Sequence, residues 1–352
     1  MNIFNRILKV NRKDRFDTRK LGQIRCDRNE KVSDWDKNII NKISKNITKQ
    51  EFTSYFNPKS INDITKRVSK YLGVSNENFC YFHGGDSVIR DFIIFNYRKN
   101  LTACINDHNY QMYDVYLNSL KIRFKKVRYL YNEKNINLFN LDKHQLYKLI
   151  PKADIIFYTN PNQISNFDIK LDEFEKFLKR WKTKKFFIDE SYYGFGHVSF
   201  INLVKKYKNL YILRSATKSL GMAPHRIGFL ISHKENIKKF KYLQTPYPLS
   251  IYSGKILDFF LKNRKLIKEY QQSVRLGREY LVKKLRQKGY KVNNSMGNCI
   301  FLKFDRKKNI NKFFNYLKKN NFITKKSVLD NKYFIRITCD KKQIMQKILN
   351  IV

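Results

Sequence analysis

Acidic side chains are scarce in this sequence. There are 29 Asp and Glu against 73 Lys and Arg, a formal net charge of +44. Such an excess points to anionic partners, whether a nucleic acid, an anionic surface or a charged substrate. The basic residues are spread along the whole chain, and no nucleic-acid-binding motif accompanies them. Nucleic acid is therefore not the expected partner, and an anionic substrate is easier to accommodate. Lys, Asn, Ile, Tyr and Phe are abundant together, as AT-rich coding sequence would produce, which offers a compositional origin for the charge. Glycine and proline are also few, at 12 and 6, which argues against a long disordered linker. The five cysteines, Cys26, Cys80, Cys104, Cys299 and Cys339, form no C-x-x-C pair. A disulfide framework and a cysteine zinc site are not expected, and a reducing compartment is. The six histidines show no metal-ligand spacing. No apolar run approaches the roughly 20 residues of a membrane helix. The segment MNIFNRILKVNRKDRF lacks the apolar core of a signal peptide. The expectation is a soluble, cytoplasmic protein without metal or membrane.

What is present is a globular α/β pattern. The chain has 352 residues, 42% of them hydrophobic, enough for one large and one smaller domain. Strand candidates are LTACIND (101–107), KIRFKKV (121–127), DIIFYTN (154–160), KFFIDES (185–191), LYILRSA (210–216) and RIGFLIS (226–232). Each is short, rich in β-branched and aromatic residues and nearly continuous in apolar character, as strands buried on both faces are. Helical stretches such as LDEFEKFLKRW (171–181) lie between them, so the expected unit is a three-layer α/β/α domain around a mixed, mostly parallel sheet. Residues 251–288 read as one long helix with a single glycine, Gly277. A smaller α+β segment follows, with strands near GNCIFLKF (297–304) and YFIRITC (333–339). The expected layout is an N-terminal arm (1–45) associated with the small domain, a large domain (46–250), then the connecting helix and small C-terminal domain (251–352).

Ligands gather at the carboxyl ends of strands in such sheets. Polar groups cluster there: Asp189 ends FFID, Lys218 follows YILRSA, Asn160 to Gln163 follow DIIFYT, and Tyr110 follows Asp107. HGGDS (83–87) precedes a helical run, where glycines let backbone N–H groups approach a phosphate. Alone it reads more readily as an ordinary turn and helix cap. In SATKSLGMAPHRIG (215–228), Lys218 and Arg226 could converge on a phosphate-bearing cofactor. A lysine in a partly buried, cationic site becomes a competent nucleophile for an aldehyde. By itself the segment reads more readily as a solvated lysine among many. Asp189 at a buried strand end needs a partner. A protonated pyridine nitrogen is one such partner, a neighbouring lysine another.

Taken together these residues resemble fold-type-I pyridoxal-phosphate (PLP) enzymes, in particular the histidinol-phosphate aminotransferase-like (class I/II) group, which also contains threonine-phosphate decarboxylase-like members. The resemblance runs from about Asp27 to the end. DRNE (27–30) is similar to the family's N-terminal Asn-Glu segment, and YFNP (55–58) to the segment whose tyrosine reaches the partner subunit's cofactor phosphate, here Tyr55. HGGDS resembles the phosphate loop, with Gly85, Asp86 and Ser87. NYQMY (109–113) resembles the segment whose first tyrosine, here Tyr110, stacks on the pyridine ring. NPNQIS (160–165) is similar in part to Asn-Pro-Asn-Asn-Pro-Thr, and DESYYGF (189–195) to Asp-Glu-Ala-Tyr. The resemblance implies that Asp189 pairs with the ring nitrogen, that Tyr192 and Gln163 face the ring hydroxyl, and that Lys218 holds PLP as a Schiff base. It puts Ser215, Thr217 and Arg226 on the phosphate. RITC (336–339) resembles the strand whose arginine, here Arg336, grips the substrate carboxylate.

Two departures stand out. Gln163 replaces the family's Asn and carries the same amide donor on a longer stem, with Ile164-Ser165-Asn166 in place of Pro-Thr-Gly. Ser87 stands where an acidic residue is common. The implied activity is amino-group transfer between an amino acid or an anionic, phosphorylated amine and a 2-oxo acid, in a homodimer. Decarboxylation of a phosphorylated amino acid is the alternative within the cofactor class, and a basic nucleic-acid-binding protein the alternative outside it.

Overall fold

The protein is described here from a computed structural model covering residues 22–134, 138–165, 169–196 and 198–352. Residues 1–21 of the expected N-terminal arm, and Asn166, lie outside them. In chain order the elements begin with β1 (Ile24–Arg25), α1 (Lys37–Ser44), α2 (Lys49–Thr53), α3 (Pro58–Leu72), β2 (Phe79–His83), α4 (Gly84–Phe95), β3 (Thr102–Asn106), α5 (Met112–Ser119) and β4 (Arg123–Val127). There follow β5 (Tyr129–Tyr131), β6 (Phe139–Leu141), α6 (Lys143–Leu149), β7 (Ile155–Thr159), α7 (Leu171–Arg180), β8 (Lys185–Asp189), β9 (Leu210–Ser215), α8 (Ala216–Ser219), β10 (Ile227–Ser232) and α9 (Lys234–Leu243). The remainder is α10 (Ile251–Lys262), α11 (Arg264–Gln287), β11 (Val292–Asn294), β12 (Cys299–Phe304), α12 (Lys307–Lys319), β13 (Phe322–Ile323), β14 (Lys325–Leu329), β15 (Lys332–Thr338) and α13 (Lys342–Leu349).

Alternation within the apolar strands builds three layers. Ile155, Phe157, Phe187, Tyr211, Leu213 and Leu230 point to one face, where Val88, Phe92 and Ile93 of α4 and Ile237 and Phe240 of α9 cover them. Ile156, Tyr158, Phe186, Ile188, Ile212 and Phe229 point to the other, under Phe174, Phe177 and Leu178 of α7, Ile64 and Val68 of α3 and Leu257 and Phe260 of α10. Side chains at successive positions leave a strand on opposite faces, so these continuous apolar runs need helices on both sides. The seven-stranded sheet has the order β2-β10-β9-β8-β7-β3-β4. It is parallel from β9 to β4, while β10 runs antiparallel to both neighbours.

That one reversed strand positions the site. The carboxyl ends of β3, β7, β8 and β9 share one edge. Because β10 enters from that same edge, Gly228 pairs with Ser215 and Ile227 with His83. The chain entering β10 at Arg226 therefore meets the chain leaving β2 at Gly84. A Cβ on Gly228 would lie 2.6 Å from the Gly84 carbonyl carbon, so the approach demands glycine. The strand β2, FCYFH, is absent from the strand candidates above, being one short run next to a glycine pair.

The expected single helix over 251–288 is two. The chain breaks at Asn263, with φ −109° and ψ 53°. Its backbone N–H and its carboxamide both donate to the Phe259 carbonyl, at 3.0 and 2.8 Å. An asparagine side chain competing for helix carbonyls ends the first helix. The smaller sheet has the antiparallel order β11-β12-β15-β14. Its tight hairpin turns through Asp330 and Asn331, both at positive φ, as a two-residue primed turn requires. Leu281, Val282 and Leu285 of α11 and Met345 and Ile348 of α13 complete its core. The segment that follows β1 is fastened to this unit by the Asp340 carboxylate, which accepts from the Val32 and Ser33 amides at 2.9 and 2.8 Å.

Candidate active site

At the β2–α4 junction the sequence builds an anion seat. Gly84 adopts φ +80°, and a Cβ there would fall 2.5 Å from Arg226 Nη2, so glycine lets the guanidinium lie against the helix entrance. His83 gives α4 no side-chain cap, which leaves the first-turn amides of Gly85, Asp86 and Ser87 directed at the edge with the positive end of the helix dipole behind them. Arg226 itself is left-handed, φ 48° and ψ 56°. From the next strand, the Ser215 oxygen accepts from the Thr217 amide at 3.1 Å and sits 2.8 Å from its hydroxyl. A guanidinium, two hydroxyls and a helix N-terminus thus face one place.

Beside this seat lies a buried carboxylate. Asp189 is 6% exposed. Tyr113 donates to Oδ2 at 3.1 Å and the Ser191 amide to Oδ1 at 2.9 Å. No cationic side chain pairs with it among the described residues. Burial is the largest influence and raises its pKa, against the lowering effect of the two donors. A cation with an N–H donor would complete this environment, which is what a protonated ring nitrogen supplies. The adjacent Glu190 forms a buried pair with Arg214 at 3.0 Å, and Arg214 lies 3.6 Å from the Tyr193 ring centroid. This pair joins the ends of β8 and β9 and so holds Asp189 in register with Ser215.

Lys218 follows on the one-turn helix α8. Its amine donates to the Arg28 carbonyl at 2.8 Å. Burial first, then the positive field of Arg336 and, to a lesser degree, that of Arg226, push its pKa from the usual 10.5 down to about 8, against the pull of Glu30. An amine with a substantial neutral fraction near pH 8 is a nucleophile and a base. Behind it a polar network converges. Arg336 Nη1 donates to the Gln163 carboxamide oxygen at 3.2 Å, and Arg336 Nη2 donates to the Asp27 carbonyl. The same Gln163 oxygen accepts from Asn29 at 3.4 Å, while the Gln163 amide reaches the His108 carbonyl at 3.4 Å. Asn29 also donates to the Tyr192 hydroxyl at 2.9 Å and approaches the Cys299 sulfur at 3.6 Å. Burial raises the Tyr192 pKa, so it is a neutral phenol. Arg336 has no carboxylate partner among the described residues, and its Nε is buried without a hydrogen bond.

The structure therefore gathers Lys218, Asp189, Tyr192, Gln163, Ser215, Thr217, Arg226, Gly85 and Arg336 at one edge. Asp86 and Ser87 lie in the first turn of α4. Ser87 donates to the His83 carbonyl at 3.0 Å, and Asp86 Oδ1 is buried without a partner. Tyr110 is 49% exposed and close enough to Tyr113 to act on its pKa. Tyr55 stands apart, 77% exposed and stacked on Tyr247 at 4.3 Å. The sequence reading did not single out Tyr113, Arg214 or Cys299, and took Asn29 only as part of DRNE. A tyrosine three residues after Tyr110, on a helix one turn on, was the available signal for Tyr113. Nothing local marks Asn29 or Cys299, which arrive by long-range folding.

These groups fit PLP, with a cradle for a phosphate, a buried carboxylate for a ring nitrogen and a depressed lysine. Fold and site define a PLP-dependent enzyme of fold type I. Residues 22–350 match the sequence pattern of the aminotransferase class I and II family, and the chain belongs to that family. It is a PLP-dependent transaminase. The chain is similar to the histidinol-phosphate aminotransferases of Clostridium novyi (strain NT), at 27% identity over 332 residues, 94% of this chain and 91% of that one. The Thermotoga neapolitana protein of that name is 24% identical over 337 residues, 95% and 94% of the two chains. In fold it resembles the histidinol-phosphate aminotransferase from Sinorhizobium meliloti in complex with pyridoxal-5'-phosphate, with TM-score 0.79, 15% identity and coverage of 93% and 89%. It also resembles the L-threonine-O-3-phosphate decarboxylase from Porphyromonas gingivalis, with TM-score 0.73, 16% identity and coverage of 93% and 98%. No described helix is long and apolar enough to cross a membrane.

Proposed function

We propose that the amine substrate is a phosphorylated one of the histidinol-phosphate kind and that a 2-oxo acid accepts the amino group. The observation that carries this reading is that two guanidinium groups act on the Lys218 amine, Arg226 beside Gly84 at the phosphate seat and Arg336, whose Nε is buried without a hydrogen bond. One guanidinium serves the cofactor. The other remains for the anionic group of the substrate, and its planar fork suits a phosphate or a carboxylate equally.

PLP supplies the electron sink that makes the substrate's Cα–H bond acidic. Asp189 would hold the ring nitrogen in its protonated form. Ser215, Thr217, Arg226 and the amides of Gly85, Asp86 and Ser87 would hold the phosphate. Tyr110 would cover the ring, and Tyr192 and Gln163 would serve the ring hydroxyl. Lys218 would carry the cofactor at rest, and its free neutral amine would take the proton from the substrate's Cα. Arg336, held by Gln163 and the Asp27 carbonyl, would fix the anionic group of the substrate.

The working molecule is a homodimer in this reading. Tyr55 and Tyr247 form an exposed aromatic stack that a second copy covers, and Tyr55 acts on the second copy's cofactor phosphate. The five free, buried cysteines accord with a reducing, cytoplasmic compartment.

The test is the half-reaction. Histidinol phosphate added to holoenzyme should convert the cofactor's absorbance to that of the amine form, and O-phosphothreonine should release no carbon dioxide. Asp189→Asn should lower the rate by about a hundredfold to a thousandfold, the scale of one lost electrostatic contact. Carbon dioxide release without keto product would overturn the proposal, as would conversion by unphosphorylated amines alone.

A further inference from the structure

The strands that carry Asp189 and Ser215 at one end carry lysines at the other. Lys182, Thr183 and Lys184 link α7 to β8, Lys185 opens β8, Lys208 and Asn209 lead into β9, and Lys239 projects from α9. Together with Phe95, Asn236 and Phe240 they line a cavity of about 250 Å³. Along β8 alone, the five residues Lys185–Asp189 separate this cavity from the cofactor site by roughly 13 Å of strand. We propose that it is a binding site for a polyphosphate anion, a chain of two or three linked phosphates.

Charge is the first reason. Lys208 has a carboxylate in ion-pair range, Glu235 at 2.7 Å. Lys182, Lys184, Lys185 and Lys239 form no ion pair among the described residues. The Lys185 amine reaches only the neutral Asn96 carboxamide. Burial, then Arg98 and Lys239, lower its pKa. Asp154, the acidic neighbour that opposes this shift, is engaged by Arg98 at 2.7 Å and by the Thr102 hydroxyl at 2.9 Å. Five lysines lining one cavity outnumber the two carboxylates within reach, Asp154 and Glu235, and a polyvalent anion answers several of them at once.

Rigidity and size are the others. Asn209 donates to the Leu178 and Trp181 carbonyls, both at 3.2 Å, and Asn236 to the Lys208 carbonyl at 2.7 Å. These bonds fix the loops from which Lys182, Lys184 and Lys208 project. The cavity floor is the packed pair Phe95 and Phe240, with ring centroids 4.3 Å apart. A cavity of about 150 Å³ already holds a benzene-sized ligand, so this one has room for more than a single phosphate. A nucleic-acid strand instead needs a groove that tracks successive single charges. Here the lysines ring one compact, open depression.

The test is a calorimetric titration of the holoenzyme with inorganic tripolyphosphate at physiological salt. Saturation at one ion per chain is expected, with orthophosphate far weaker. The triple variant Lys182→Gln, Lys184→Gln, Lys239→Gln should bind on the order of tenfold to a hundredfold more weakly, from three partly exposed ion pairs lost. The charge-matched control Lys312→Gln, Lys318→Gln, Lys319→Gln, on the exposed face of α12, should retain wild-type affinity. An unchanged cofactor absorbance band in each variant reports an intact fold. Equal losses in the two variants would assign the binding to diffuse charge and overturn the proposal. Unchanged affinity in the first variant would assign it to the active site and overturn it too. So would single-stranded RNA that binds through these lysines and that tripolyphosphate does not displace.

Discussion

Lys218 is the natural place to weigh the energetic cost of function. Its pKa falls from 10.5 to about 8 in the folded chain, a difference equivalent to about 3 kcal/mol of destabilisation of the protonated amine. Replacing it by Met, which is similar in length and flexibility, removes the charge. The substitution also removes the hydrogen bond to the Arg28 carbonyl, worth about 1 kcal/mol. The cofactor-free Lys218→Met protein should therefore be more stable than wild type by about 2 kcal/mol at pH 7. The pH dependence fixes the cause. Below pH 8 the native amine is protonated and the whole cost is present. Between about 8 and 10.5 the native amine is neutral while the unfolded one still binds a proton, so wild-type stability rises with pH. Above that window the advantage of the variant is gone, and the lost hydrogen bond leaves it slightly less stable. Urea unfolding of both cofactor-free proteins at steps across this range, with unchanged slope, is the assay. A stability difference that stays constant from pH 7 to 10.5 would refute the reasoning, because it would place the amine in water at its ordinary pKa.

Two further outcomes follow from the geometry. Arg336→Gln should raise KM about tenfold to a hundredfold, the scale of one lost charge-assisted hydrogen bond, with a smaller change in kcat. Because Arg336 is the strongest charge acting on Lys218, the acidic limb of the pH–rate profile, set by deprotonation of the Lys218 amine, should also move upward, and a KM effect with no pH shift would place Arg336 away from the lysine. Gly277→Ala puts a Cβ into the Asp340 backbone carbonyl, where α11 meets the end of β15. It should destabilise the protein by about 3 kcal/mol or more despite the better helix propensity of Ala, and unfolding at wild-type denaturant concentration would refute that close contact.

Much of the architecture was legible in local pattern. Continuous apolar runs such as IIFYT and KFFID marked strands buried on both faces. The residues following each run, Asp189, Lys218 and Gln163, were recognisable because strand ends collect ligands. Gly277 could be seen as odd, though not why. The break at Asn263 was not legible, since asparagine sits in helices and caps alike and only its bond to Phe259 decides. The strand FCYFH was hidden by its brevity, and Tyr113 by its ordinary place on an amphipathic turn.

The sequence by itself determined the layers, the cofactor class and the names of most groups gathered at the strand ends, because these depend on side-chain type and on spacing within a few residues. Tertiary structure alone decided how those groups are tuned. The reversed strand β10 brings Arg226 against Gly84. The segment around Asn29, joined to the small sheet, places its carboxamide between Tyr192, Gln163 and Cys299. Arg336 approaches Lys218 from another sheet, more than a hundred residues away in the chain. Electric fields and burial act through space, so the depressed amine of Lys218 and the lysine-lined cavity at the opposite end of the sheet exist only once the chain has folded.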